Sequence, residues 1–167
     1  MTDDDVNSAV VRWLAALLGV QVIKDHQGGK RPPPPYVMVN MTGTVELREH
    51  ARTTTYADGA PGPGGAPAPV TAAPIIEVEW RFSVHAYGPQ PTGTLRPVRS
   101  ALQLAQKIEP LLPSLIAHDV SQVRNVPDWV NEKWEPRAQM DLFVRGLTRD
   151  GFVIDVIEEA PITFGRL

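Results

Sequence analysis

Arg137, Asp141 and Arg145 recur at a spacing of four, with Glu135 just upstream in the stretch WEPRAQMDLFVR (134–145). As chemistry, Asp141 would work with Glu135 or with His85, since general acid and base catalysis needs two groups whose surroundings separate their pKa values. As structure, the same spacing puts all three charges on one face of a strand, where they would form a charged ladder with neighbouring strands or another subunit. The chain has no G-x-S-x-G elbow and no glycine-rich dinucleotide turn, so an enzyme is not expected.

Other reactive groups thin out quickly. With no cysteine, disulfides, thiolate catalysis and cysteine zinc sites are excluded. The four histidines, His26, His50, His85 and His118, show no H-x-H or HExxH spacing, so no metal is expected. Gly28-Gly29-Lys30 fails as a phosphate loop, because Lys24 stands where the upstream glycine is required and Arg31 where Ser or Thr is. No cofactor is expected.

At 167 residues, with 43% hydrophobic and 21% charged residues, the chain reads as one globular domain. A net charge of -3 gives no electrostatic reason for nonspecific nucleic-acid binding. The start, MTDDDVNS, is the reverse of a basic signal peptide, and no apolar run reaches the roughly 20 residues of a membrane span. The expectation is a soluble protein made in a cytoplasm, with the Asn40-Met41-Thr42 sequon there by chance.

The elements that must carry these residues are written in periodicity. Val6, Val10, Trp13, Leu14 and Leu17 form the stripe of an amphipathic helix, with Thr2 or Asp3 as N-cap and Gly19 past its end. Val20–Lys24 reads as a short strand, RPPPP (31–35) as a stiff lead-in, and 36–48 as a strand with Val37, Val39, Met41, Val45 and Leu47 on one face. In 75–87, Ile76, Val78, Trp80, Phe82, Val84 and Ala86 alternate with polar residues. A second helix is expected with Pro97 in its first turn and Val98, Leu102, Ala105 and Ile108 on one face. Strands follow near Val120–Val126, 135–146 and Phe152–Glu159, the last two joined by a turn at Arg149-Asp150-Gly151. From Ala57 to Pro74, 15 of 18 residues are Gly, Pro or Ala, which reads as a long loop. The fold class is α+β: a mainly antiparallel sheet, two helices packed on one face, and a Gly/Pro/Ala-rich loop.

Taken in order, the amphipathic helix, PPPPYVMVN, the strand ending HAYG (85–88) and RNVPDWVNEKWEPRAQMDLFVR (124–145) resemble the neck or tail terminator proteins of tailed bacteriophages. The likeness runs from about Asp4 to Glu159, with Ala57–Pro74 unmatched. It implies a structural virion protein of the tail or neck, assembled in the host cytoplasm. Such a subunit forms a ring, usually a hexamer, that caps the tail tube, stops its growth and joins the tail to the head connector. The implied partners are further copies of the chain, the tail tube protein, the head connector or adaptor, and a sheath protein if the tail is contractile. DNA would only pass through the lumen, which a mildly acidic protein suits. A head-completion or connector adaptor of the same neck is the alternative, with a small monomeric enzyme or binding domain behind it.

On that reading the domain spans 1–167, with residues 51–74 an extended flexible loop or arm that orders in the assembly. Trp134, Arg137, Asp141, Phe143, Arg145, Tyr36, Arg52 and Tyr56 are the candidates for subunit or tube contacts.

Overall fold

A computed structural model describes residues 1–26, 28, 30–60, 68–130 and 132–155. The first helix, α1 (Asp3–Leu18), starts where Thr2 and Asp5 close a reciprocal capping box and stops at Gly19, which takes the left-handed conformation (φ 65°). Its stripe of Val6, Val10, Trp13 and Leu14 is buried, each side chain contributing about 1.5–3 kcal/mol. Two indole N–H groups pin it further. Trp13 Nε1 donates to the Lys107 carbonyl at 2.6 Å, and the fully buried Trp80 donates to Asp3 Oδ1 at 2.8 Å.

The sheet is built around one strand. After β1 (Gln21–Lys24), β2 (Tyr36–Glu46) and β3 (Thr53–Asp58), the 18-residue β4 (Val70–Tyr87) runs about 60 Å at roughly 3.4 Å per residue. Its chain-order successors are β5 (Leu115–Val120), β6 (Arg124–Asn125), β7 (Asp128–Val130), β8 (Lys133–Glu135), β9 (Arg137–Arg149) and β10 (Phe152–Ile154). Strands order as β1-β2-β4-β9-β5, with β1 parallel to β2 and the other pairings antiparallel, while β7 and β8 form a separate hairpin. Val78, Trp80, Phe82, Val84 and Ala86 of β4 and Ala138, Met140, Leu142 and Val144 of β9 form the inner face. They pack with α1 and with α2 (Pro91–Ala101) in one core, so the helices lie on one face of an α+β sandwich.

Several boundaries differ from expectation. Helix α2 begins at Pro91, which takes the first-turn role, so Pro97 lies inside the helix. The chain then breaks and resumes as the short α3 (Ala105–Ile108) and a 3₁₀ turn at Glu109–Leu111. The strand expected at 120–126 is instead β5, starting at Leu115, with β6 after it, because the inward residues Leu115, Ala117 and Val120 pack on the core. On β2 the bulge between Met41 and Gly43 ends the buried face, leaving Val45 and Leu47 exposed.

Asp150-Gly151 does not reverse the chain. Arg149 pairs with Ile75 and Phe152 with Ala72, so β10 continues β9 in the same direction and register along β4. Of the strand expected at 152–159, residues 156–159 lie outside the described residues. The 57–74 segment holds paired strand where a loop is expected, since β3 lies along residues 70–75 of β4; residues 61–67 lie outside the described residues. The start of β4, β3 and β10 thus form a three-stranded ribbon that prolongs the sheet past its helical layer.

Candidate functional site

The sheet's other face carries the charged residues. Cross-strand register sets Glu79 opposite Arg145, Arg81 opposite Phe143, Ser83 opposite Asp141, His85 opposite Gln139 and Tyr87 opposite Arg137. Arg81 leans diagonally to Asp141, Nη2 to Oδ2 2.7 Å, with its guanidinium carbon 5.8 Å from the Phe143 ring centre. Arg145 Nε donates to Glu79 Oε2 at 2.8 Å, and His118 Nε2 lies 2.8 Å from the same oxygen. A bulge in β5 between Ala117 and Asp119 makes His118 the extra residue of that strand. Burial pushes the Glu79 carboxyl up, but the bonds from Arg145 and His118 outweigh it and leave the group below the ordinary carboxylate range.

His85 is half-buried among Ser83, Gln139 and the charges of Arg137, Asp25 and Asp141. Gln139 Nε2 donates to Ser83 Oγ at 2.8 Å, and that hydroxyl lies 3.1 Å from His85 Nε2. Burial, then the nearby Arg137 charge, lowers the His85 pKa, which favours the neutral ring. No hydrogen bond joins Asp141 to His85 or to Glu135, and Glu135 pairs with Arg31 at 3.5 Å. Neither acid–base pairing is assembled. Among the described residues no group of three His, Cys, Asp or Glu side chains is placed to hold a metal ion.

At one end of the sheet three sequence motifs meet. Tyr36 stacks on Tyr87 with ring centres 4.8 Å apart and planes 12° from parallel. Burial raises the Tyr36 pKa. Gly88 takes φ 136°, and a Cβ there would come within 3.1 Å of Pro35, so glycine is required both for conformation and for closeness. Its N–H donates to the Pro136 carbonyl at 3.4 Å. PPPPY, AYG and WEPR are thus one contact. From it projects the β7–β8 hairpin, where Trp129 and Trp134 meet edge to face at 5.0 Å while 56% and 66% exposed. Arg137 ties the hairpin's base, donating to Asp128 Oδ2 at 3.0 Å and to the Val126 carbonyl at 3.2 Å.

The candidate contact residues therefore separate. Trp134 and Tyr56 are strongly exposed, and Arg145 and Phe143 lie on the open face of the sheet. Arg52 is exposed and shares Glu77 with Arg48, at 3.3 and 2.9 Å. Tyr36 and Asp141 are buried within the subunit, one in the tyrosine stack and one beneath Arg81, so neither offers its side chain to a neighbour. Sequence reading missed Arg81, Glu79, His118 and Trp129. Arg81 and Glu79 share the polar parity of β4, but only the register with β9 names their partners.

The family described as phage neck terminator protein matches residues 4–166. Among solved structures, the chain is similar in fold to the sheath/tube terminator of an extracellular contractile injection system, PVC, in its extended state. The identity is 14% and the TM-score 0.50, over 100% of this chain and 65% of that one, so the chain spans just under two thirds of that protein's length. No curated protein matches the sequence.

Proposed function

The chain belongs to the phage neck terminator family, and from that premise we propose that it is a structural virion component that assembles as a hexameric ring on the last ring of the tail tube. There it stops tube growth and makes the joint to the head connector, with DNA passing through the lumen. Its partners are further copies of itself, the tube protein, the connector, and sheath protein where the tail contracts.

One observation carries this reading. The large exposed aromatic side chains of the described residues lie at the two ends of β9, about 40 Å apart at roughly 3.4 Å per residue: Trp129 and Trp134 before its start, Tyr56 and Phe152 beyond its end. A joint must hold something on each side, and exposed aromatic anchors are what protein contacts are built around. The charges between are paired within the subunit, which leaves the two ends as the adhesive parts.

The test is to mix purified protein with tail tubes and image them by negative stain, with mass photometry of the free protein alongside. Ring-shaped caps at one end of each tube are expected. A protein that stays monomeric and leaves tube ends bare sinks the proposal.

A further inference from the structure

The ribbon of β3, the start of β4 and β10 has two outer edges, and neither has a partner among the described residues. Both β3 and β10 run antiparallel to β4, hence parallel to one another, and they flank the same positions. Tyr56 and Phe152 both pair with Ala72, and Ala57 and Val153 both pair with Thr71. Tyr56 and Phe152 are 67% and 61% exposed, on either side of a buried Ala72. Natural edge strands are usually blunted by lysine, proline or inward charges. Here β10 reads Phe-Val-Ile, and β3, TTTYAD, has one acid at its end.

We infer that the β10 edge of one subunit pairs with the β3 edge of the next copy, so that the ribbons join side by side around the ring; this rests on the ring reading above. A second copy is the occupant because a single ribbon carries both halves of the contact. In a ring all ribbons point one way, and β10 of one copy then meets β3 of the next as a parallel pair, a head-to-tail contact that closes by rotation. Closing the sheet staggers the register from copy to copy by an even number of residues, so Phe152 lies along the face of the next copy's β3 that carries Thr54, Tyr56 and Asp58, and Val153 along the other.

Closure removes both edges. With three strands from each copy, a hexamer makes a barrel of about eighteen strands, the size that leaves an aqueous channel in porins. Beyond Arg149, the ribbon's face opposite Tyr56 carries Thr55, Ala57, Thr71, Ala73 and Val153, all small or aliphatic and uncharged. Turned inward, that face gives DNA a wall with no cation to hold its phosphates.

The test is F152C combined in turn with T54C, Y56C and D58C, so that one double variant matches each small stagger of the register. The chain has no cysteine of its own. Within one subunit the two positions of each variant lie two strand spacings apart, at least about 10 Å, too far for a disulfide. Rings of each double variant on tail tubes are verified by negative stain, oxidised, and run on a denaturing gel. A ladder of covalent multimers up to the ring is expected from one of them, with each single variant remaining monomeric. Rings of all three double variants that stay monomeric after oxidation overturn the ribbon pairing and leave the ring reading standing. A covalent dimer from F152C alone overturns it in favour of two-fold pairing through β10. If the unsubstituted protein forms no rings on tail tubes, the ring reading itself falls and takes this inference with it.

Discussion

Arg81 reaches Asp141 on the diagonal: Nη2 lies 2.7 Å from Oδ2, although Arg81 stands opposite Phe143 and Asp141 opposite Ser83. The acid flanked by Arg137 and Arg145 in sequence thus takes neither as partner. Those arginines bind Asp128 and Glu79 instead. Asp141 is nearly enclosed while Arg81 keeps contact with water, so D141N strands no buried cation. The expected loss is about 1–2 kcal/mol of subunit stability, below the cost of breaking a fully buried pair. Urea denaturation of the free subunit measures it; an unchanged midpoint would mean that the pair does not stabilise the subunit.

Gly146 is closely packed on the inner face. A Cβ there would meet the Ser114 carbonyl at 2.7 Å, Leu115 Cδ2 at 2.8 Å and Trp80 Cζ3 at 3.1 Å. G146A should therefore cost about 1–3 kcal/mol through overpacking. Gly43, with open space around it, is the control, and G43A should be neutral or stabilising by up to about 1 kcal/mol. Thermal melts of the two variants should diverge in opposite directions.

Asp3 and Asp4 are neighbours in the first turn of α1 with unequal duties. Asp3 accepts from the buried Trp80 indole, whereas Asp4 forms an exposed pair with Lys24. D3A leaves a buried donor unpaired, at about 1–3 kcal/mol, while D4A should cost under about 1 kcal/mol. Equal destabilisation of the two would show that the helix dipole, which both acids face, outweighs the indole bond.

His85 makes stability depend on pH. Its folded pKa lies below the ordinary 6.5, so below that value the unfolded chain binds more protons than the folded one. Stability is complete above about 6.5 and falls as the pH drops toward the folded pKa. H85Q should flatten the change in melting temperature between about pH 7.5 and 5.5. A variant as pH-sensitive as the parent would assign the slope to another group. Glu79, also depressed when folded, adds a loss that begins below its ordinary 4.5.

Arg137 positions the tryptophan hairpin. R137A should shift the tryptophan emission and reduce capping of tail tubes while lowering subunit stability by about 1–3 kcal/mol, the worth of its two hydrogen bonds, one of them to a carboxylate. W134A, at a position 66% exposed, should spare stability altogether and still impair capping. Normal caps with both variants would take this end of the sheet out of the contact.

The core was readable because alternation is a local property. Ile76 to Ala86 and Ala138 to Val144 announce their inner faces, and the capping residues Thr2 and Gly19 stand where helix physics requires them. Pairing is not local. Nothing in the order of residues says that Glu79 lies opposite Arg145, so the partners of the charged residues, and the burial of Asp141 and Tyr36, had to wait for the register. Composition misled over 57–74, where glycine, proline and alanine have little strand preference of their own; the strand there is held by neighbours on both sides. Asp150-Gly151 misled for the same reason, since a dipeptide suited to a hairpin turn is overruled when the next residues find the same partner strand in register.

The unbroken run of β4 from the ribbon to the tyrosine stack gives the subunit a mechanical axis. A pull between its two ends travels along one covalent backbone without crossing a loop, and the hydrogen bonds to β2 and β9 are loaded together in shear, not peeled one after another. If the subunit joins head to tail as proposed, a load applied between those two ends would be shared by both ladders at once.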